Sequence, residues 1–253
     1  MDPVIPTTIA AVAALAHQTQ PLIKEGAKLI DRLLGEPFKI AGEMISDEMY
    51  YWRICRAATV GGKAAILLRE QNVDPKQLPP GFLLPFIESA STAESADIEN
   101  LFASLLASAV SDDMFQHPVF RHAISQINAD EARILEYLST GGDIQVYAIV
   151  DNKSWCNELY YNEYPGIALD RSVIYTENLR RLRLADASHL RPSVGPRPHF
   201  ITEEVAKQGE IFVAEIELSA MGKKLGAIAV KASILRNPPK QDAPVAPPFV
   251  VQG

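Results

Sequence analysis

Residues 97–110 place the strongest constraint on what this chain can fold into. The stretch, DIENLFASLLASAV, has helical spacing, with its large apolar side chains on one side. Those side chains are Ile98, Leu101, Phe102, Leu105 and Leu106. Ala and Ser fill most other positions, so the sequence predicts a helix that packs closely against more than one neighbour. Ser91 and Glu94 have capping-box spacing ahead of it.

The rest of the first half also has helical periodicity. One predicted helix covers about residues 7–34 and is kinked or broken at Pro21. A second covers about residues 37–71, and its Gly61–Gly62 pair predicts a bend or an interruption. The prolines of NVDPKQLPPG, residues 72–81, predict a loop, and FLLPFIESAS then forms a short helix.

The second half places strand-like segments between helices. Asn128 and Glu131 form a cap-like start for a helix that ends near residue 139. β-branched residues then predict strands, and the segments follow in order. They are a strand at 143–151, a helix at 170–185, a strand at 210–218 and a helix at 219–235. This order is typical of a winged helix.

These segments predict a mainly α fold with a small β component. An N-terminal helical domain covers residues 1–125, and a winged-helix-like α+β module covers residues 126–235. The Pro-rich remainder, residues 236–253, is predicted to be a disordered tail.

Composition limits the compartment and the partners. The 253 residues include 24 basic and 31 acidic side chains, and the net charge of −7 argues against nonspecific coating of nucleic acid or anionic membranes. The only cysteines, Cys55 and Cys156, are far apart in sequence, which favours a reducing compartment. The apolar run at residues 9–16 is too short to span a bilayer and lacks the positive start of a signal peptide. We therefore expect a cytoplasmic protein.

No motif specifies a reaction. VGGKAA, residues 60–65, lacks a glycine and a Ser or Thr that a phosphate-binding loop requires. None of the five histidines has a metal-site spacing, and Cys156 fits a small buried residue better than a nucleophile. We expect no catalytic residue, no cofactor and no metal, and a protein that is not an enzyme.

The helix at 170–185 carries a basic region. Tyr175, Leu179 and Leu182 form its predicted buried stripe, and the opposite side presents Val173, Glu177 and Arg180. Residues 171–199 contain six Arg and two acidic residues, a local charge of +4 that leaves −11 for the rest of the chain.

We define a candidate interaction patch within this region. Its members are Arg180, Arg181, Arg183, Arg191 and Arg197. Arginines placed in this way can contact phosphates and base edges, or they can pair with acidic protein surface. The outward Val and Glu suit groove entry poorly, and the acidic chain favours the protein contact.

Several segments resemble the abortive infection alpha family of bacteria. They are LLGEPFKIAGEMISDEMYYWRICRA (33–57), NVDPKQLPPGFLLPFIESAS (72–91), IENLFASLLASAV (98–110), HPVF (117–120), TENLRRLRLAD (176–186) and IELSAMGKKL (216–225). They occur in the family's order and extend over roughly residues 30–232. The resemblance implies a role in abortive infection or phage defence and supplies no catalytic residue.

Three functions remain open. The first is a non-enzymatic defence protein that acts through protein contacts or self-association, including as a homo-oligomer. The second is a winged-helix regulator that binds DNA or another nucleic acid. The third is a membrane-active toxic effector that uses residues 9–16 after a conformational change, without a stable membrane span.

Overall fold

The computed structural model describes most of the chain between residues 21 and 236. The described residues are 21–34, 48–142, 144–150, 158–161, 167, 169–188, 191–193, 203 and 210–236. The predicted helix start at residue 7, the Cys156 region, Arg197 and the predicted Pro-rich tail beyond Arg236 lie outside the described residues.

Helices form most of the described structure. The first, α1, covers residues 21–34. The others are α2 (Glu48–Glu70), α3 (Pro80–Ser91), α4 (Ala96–Ser111), α5 (Pro118–Ile124), α6 (Ala129–Ser139), α7 (Leu169–Arg181) and α8 (Ala220–Arg236). A short 3₁₀ helix, Asp113–Gln116, joins α4 to α5.

Five short strands form one antiparallel sheet in the second half. They are β1 (Gln145–Val150), β2 (Glu158–Tyr161), β3 (Ala185–Ala187), β4 (Arg191–Pro192) and β5 (Glu210–Leu218). β5 is central: β1 pairs along one side of it, with Val146 opposite Ala214, and both β3 and β4 pair along the other. β2 lies outside β1.

Helix α4 lies at the centre of the molecule. Every residue from Leu101 to Val110 is buried, and the helix packs against α2 and α8. Its small residues permit close approach on the α8 side, where the Ser104 hydroxyl donates a hydrogen bond to the Ile228 carbonyl at 2.8 Å. The predicted close packing against more than one neighbour is confirmed.

The Gly61–Gly62 pair serves a close helix crossing. Helix α2 continues through both glycines, so the predicted interruption is wrong. A Cβ at Gly26 of α1 would lie 1.7 Å from the Ala58 carbonyl oxygen, and one at Gly62 would lie 2.3 Å from the Leu22 carbonyl oxygen. The glycines therefore let α1 and α2 touch through their backbones.

The two predicted helix caps have different outcomes. Ser91 ends α3 and donates to the Glu88 carbonyl, so it does not cap α4 as predicted. Ser95 takes that role, and its hydroxyl accepts from the Ile98 amide at 3.3 Å. The capping box of Asn128 and Glu131 at the start of α6 is confirmed.

The mainly α fold with a small β component is confirmed. One hydrophobic core cluster includes residues on both sides of the predicted domain boundary, from Leu101 of α4 to Ile228 of α8. The boundaries at residues 125 and 235 stay predictions. The winged-helix assignment also stays a prediction: β1 and β2 lie between α6 and α7, and β3, β4 and β5 follow α7.

Candidate interaction groove

Helix α7 packs against the core through the predicted stripe. Leu179 is fully buried, and Tyr175 and Leu182 pack at the edge of the core cluster. Val173 also packs there, so its predicted outward position is wrong. The buried Thr176 and Leu179 set the direction of the helix, which turns Val173 inward and leaves Ile174 66% exposed.

The described members of the candidate patch lie at the end of α7. Arg180 pairs with Glu177 at 2.8 Å, and Arg181 donates to the Asn178 side-chain oxygen at 2.8 and 3.0 Å. Arg181 also donates to Gln126 Oε1 at 3.1 Å. Two of the predicted patch residues are therefore engaged within the chain.

The other patch residues occupy different settings. Arg183 is exposed and has a φ of 55°, in the left-handed region that ends many helices. Its carbonyl accepts a hydrogen bond from the Ser219 hydroxyl at 2.6 Å, which ties this turn to the start of α8. Arg191 belongs to β4, and its side chain is not described, whereas Arg197 lies outside the described residues. The functional role of the patch stays a prediction.

A groove of about 850 Å³ lies beside α7, and we call it the α7 groove. Its floor is apolar and comes from α4 and the α5–α6 connection. The floor residues are Ile98, Phe102, Ile124 and Ile127. Tyr175 and Asn178 of α7 form one wall, and the exposed Ile174 lies at its edge. The α3–α4 connection, with Glu94 and Ser95, borders the groove as well.

A buried carboxylate holds the α7 wall in place. Glu131 is 3% exposed, and its carboxylate accepts from the Asn128 amide and from the Asn178 side-chain amide, both at 2.7 Å. Asn178 also donates to the Gln126 carbonyl at 3.1 Å. These bonds connect α7 with the start of α6 and fix the groove wall.

The pKa of Glu131 reflects both burial and these bonds. Burial raises the pKa of the Glu131 carboxyl above its ordinary value, although hydrogen bonds from Asn128 and Asn178 lower it in part. Partial burial likewise raises the pKa of the Tyr175 phenol, and the charge and hydrogen bond of Asp130 raise it further. Tyr175 therefore stays protonated at neutral pH and adds a neutral aromatic surface to the groove.

A second polar junction lies next to the α3–α4 border of the groove. Arg236, at the end of α8, donates from Nε to Asp97 at 2.7 Å and from Nη1 to Glu136. Arg133 of α6 also pairs with Asp97 at 3.1 Å. The junction brings the end of α8 to the first turn of α4, between two residues that line the groove, Ser95 and Ile98.

The described part of the chain gives little sign of a metal site or a membrane segment. It contains no group of three His, Cys, Asp or Glu side chains that could hold a metal ion. No helix within it is long and apolar enough to cross a bilayer.

Sequence reasoning missed the residues that shape the groove. It assigned Glu131 only a capping role, and it gave no role to Asn178, Ile174 or Arg236. The available signal was Ile174, an apolar side chain one position before the predicted buried stripe. The partners of Asn178 and Arg236 are 47 and 139 residues away in sequence, so no local pattern could identify them.

The comparisons with known proteins agree with the sequence resemblance. The family model described as "Abortive infection alpha" matches residues 58–229, which is more than half of the chain. No curated protein and no solved structure gives a significant match. The matched region contains α4, α6, α7 and the whole α7 groove, and on this match the chain belongs to the abortive infection alpha family.

Proposed function

We propose that this chain is a bacterial abortive-infection protein that acts in phage defence by contacting a protein partner or a second copy of itself. It does so without catalysing a reaction, and it acts in the cytoplasm. The family supports abortive infection, and the α7 groove carries the protein-contact part of the proposal. An apolar groove edged by an exposed isoleucine is the kind of surface that protein contacts cover.

The polar groups around the groove support this proposal over small-molecule chemistry. Glu131 and Asn178 face each other, and their hydrogen bonds are made within the chain. A small-molecule site needs a few convergent polar groups that orient the ligand. Here the apolar floor and Ile174 supply the contact surface, whereas the polar groups hold the wall.

DNA binding by a winged helix is the weaker proposal. Nucleic-acid affinity depends on arginines that neutralise phosphates. Arg180 pairs with Glu177, and Arg181 binds Asn178 and Gln126. The net charge of −7 also opposes approach to a polyanion. The membrane-active alternative depends on residues 9–16, which lie outside the described residues.

Phage plating tests the proposal. Cells that express the wild-type chain should form fewer plaques than cells without it for at least one phage in a broad panel. Ile174→Asp should abolish that protection, because it puts a charge at the edge of the groove without touching the core. Leu84→Asp is the matched control, since Leu84 is also exposed, at 55%, and does not line the groove.

Each result has a defined meaning. The variants should accumulate to wild-type levels in an immunoblot, because exposed substitutions shift stability by only about 0.5 kcal/mol. Unchanged plating across the panel with wild-type protein would contradict a defence role. Full protection by Ile174→Asp would contradict the use of the groove.

A further inference from the structure

We propose that the Pro-rich segment after α8 occupies the α7 groove of the same chain and competes there with the partner. The segment covers residues 237–253, NPPKQDAPVAPPFVVQG. This inference rests on the function proposed above, because it identifies a competitor for the same groove. It makes the groove a regulated surface, which a partner reaches only by displacing the segment.

The segment begins beside the groove. Arg236, the last described residue, binds Asp97 at 2.7 Å in the first turn of α4. Ser95 and Ile98, on either side of Asp97, both line the groove. The ion pairs of Arg236 with Asp97 and Glu136 fix this exit point, so the chain leaves α8 at the α3–α4 border of the groove.

The length of the segment permits it to reach the floor. Seven residues, 237–243, separate Arg236 from the apolar stretch PVAPPFVV at 244–251. A Pro-rich chain extends about 3 Å per residue, so seven residues can reach roughly 20 Å. That distance is of the order of the width of two packed helices, which have a diameter of about 10 Å each.

The chemistry of the stretch suits the groove. Residues 244–251 carry no charge and contain three Pro, three Val and one Phe. Pro-rich peptides dock in grooves lined by aromatic side chains, because little conformational entropy is lost on binding. Tyr175 supplies an aromatic wall, and Ile98, Phe102, Ile124 and Ile127 supply the floor. Phe249 is the largest apolar side chain of the stretch and the natural anchor.

Attachment to the same chain favours this occupant over a foreign peptide. A short linker gives a tethered segment an effective concentration in the millimolar range, so even a weak contact is populated. The corresponding segment of a second copy would lack this advantage in dilute solution.

Photo-cross-linking of the full chain tests the proposal. Benzoylphenylalanine replaces Phe249, and the purified protein is irradiated at micromolar concentration. We expect cross-links within one chain that mass spectrometry maps to groove peptides containing Ile98, Ile127 or Tyr175. Ile174→Asp in the same background should reduce these cross-links several-fold, and Leu84→Asp should leave them unchanged.

Other cross-linking results would overturn the proposal. Cross-linked species with twice the chain mass would assign the segment to a second copy. Products that map away from the groove, or an absence of protein cross-links, would remove the segment from the groove altogether.

A binding measurement provides the second test. A labelled peptide with residues 240–253 is titrated with full-length protein carrying Phe249→Asp and Val250→Asp. It should bind that variant at least about tenfold more tightly than the wild-type chain, whose own segment competes at a high effective concentration. Equal affinity for the two proteins would contradict the proposal.

The tests separate this inference from the proposed function. Groove cross-links together with unchanged protection by Ile174→Asp would leave the segment in the groove and refute the groove's role in defence. Lost protection in Ile174→Asp without groove cross-links would support the role in defence and refute the competing segment.

Discussion

The two faces of the helical core are held by different forces. Between α4 and α8, small residues bring the backbones together, and the Ser104 hydroxyl reaches the Ile228 carbonyl directly. Between α6 and α7, a buried carboxylate and an amide make the contact, with Glu131 and Asn178 2.7 Å apart. The first interface is closely packed, and the second borders the α7 groove.

The difference suggests why a groove forms on only one of these faces. Small side chains leave no space when two helices cross closely, and α4 and α8 therefore meet without a gap lined by their exposed residues. A polar bridge fixes two helices at a few atoms and leaves the apolar side chains beside it uncovered. Around the Glu131–Asn178 bridge, those uncovered side chains are the floor of the groove and Ile174.

The largest expected effect comes from the apolar interface. Leu105→Ala removes a fully buried side chain from the centre of α4, and we expect the free energy of unfolding to fall by about 2–5 kcal/mol through lost burial and a cavity. Urea denaturation followed by circular dichroism measures it. Leu84→Ala, on the exposed face of α3, should cost less than about 0.5 kcal/mol. Equal losses for both variants would contradict the central position of α4.

The polar bridge should have the next largest effect. Glu131→Ala removes the capping box and leaves the Asn178 amide short of a partner, and we expect a loss of about 2–3 kcal/mol. A double-mutant cycle with Asn178→Ala should give a coupling energy of about 0.5–3 kcal/mol, as expected for residues in direct contact. Additive losses would show that the two side chains do not interact.

The same bridge predicts a pH dependence. The pKa of Glu131 is raised in the folded chain, so the folded state binds the proton more tightly than the unfolded state does. The stability from this group is fully present below its ordinary value of 4.5 and is lost as pH rises through the folded pKa. Denaturation of wild type and Glu131→Gln across this range should show a smaller decline for the variant. Parallel curves would contradict the assignment.

Local sequence patterns predicted much of the fold. Helical spacing identified α4 and the stripe on α7, β-branched residues identified β1 and β5, and the Asn128–Glu131 spacing identified the cap of α6. These features depend on residues close together in sequence, where propensity and periodicity act directly.

The remaining features depend on contacts between distant segments. The Gly61–Gly62 pair has the same letters whether it bends a helix or admits Gly26 from another one. Ser91 and Ser95 both lie before α4, and the end of α3 at Ser91 decides which of them caps it. The groove itself exists only after α7 docks on Glu131, so neither its floor nor Ile174 was predictable as a site.

A single buried cation sharpens the comparison on the α4–α8 side. Burial lowers the pKa of Lys231, whose Nζ lies 3.3 Å from the Ser108 hydroxyl. Charging this lysine therefore costs more in the folded chain, and stability should rise with pH between the lowered pKa and 10.5. Lys231→Met should stabilise the chain at neutral pH by no more than about 1 kcal/mol, because the partly exposed ammonium is screened by water.

Thermal denaturation at neutral and alkaline pH checks this prediction. Lys224→Met is the matched control, since Lys224 is exposed on the same helix and should change little. A lower melting temperature for Lys231→Met than for Lys224→Met would show that the Ser108 contact outweighs the cost of burial.

The smallest effect belongs to the arginines at the end of α7. Replacing Arg180, Arg181 and Arg183 with Gln should lower the free energy of unfolding by about 1 kcal/mol or less, because exposed ion pairs contribute little. Most of the loss should come from Arg181, which joins α7 to Gln126, whereas Gln at position 183 keeps the same left-handed backbone. Neither wild type nor variant should shift a DNA duplex at physiological salt. Arg53→Gln, at an exposed arginine of α2, controls for loss of charge. A duplex shift by wild type that the triple variant loses, with a salt dependence reduced by roughly one unit per phosphate contact, would instead assign this end of α7 to nucleic acid.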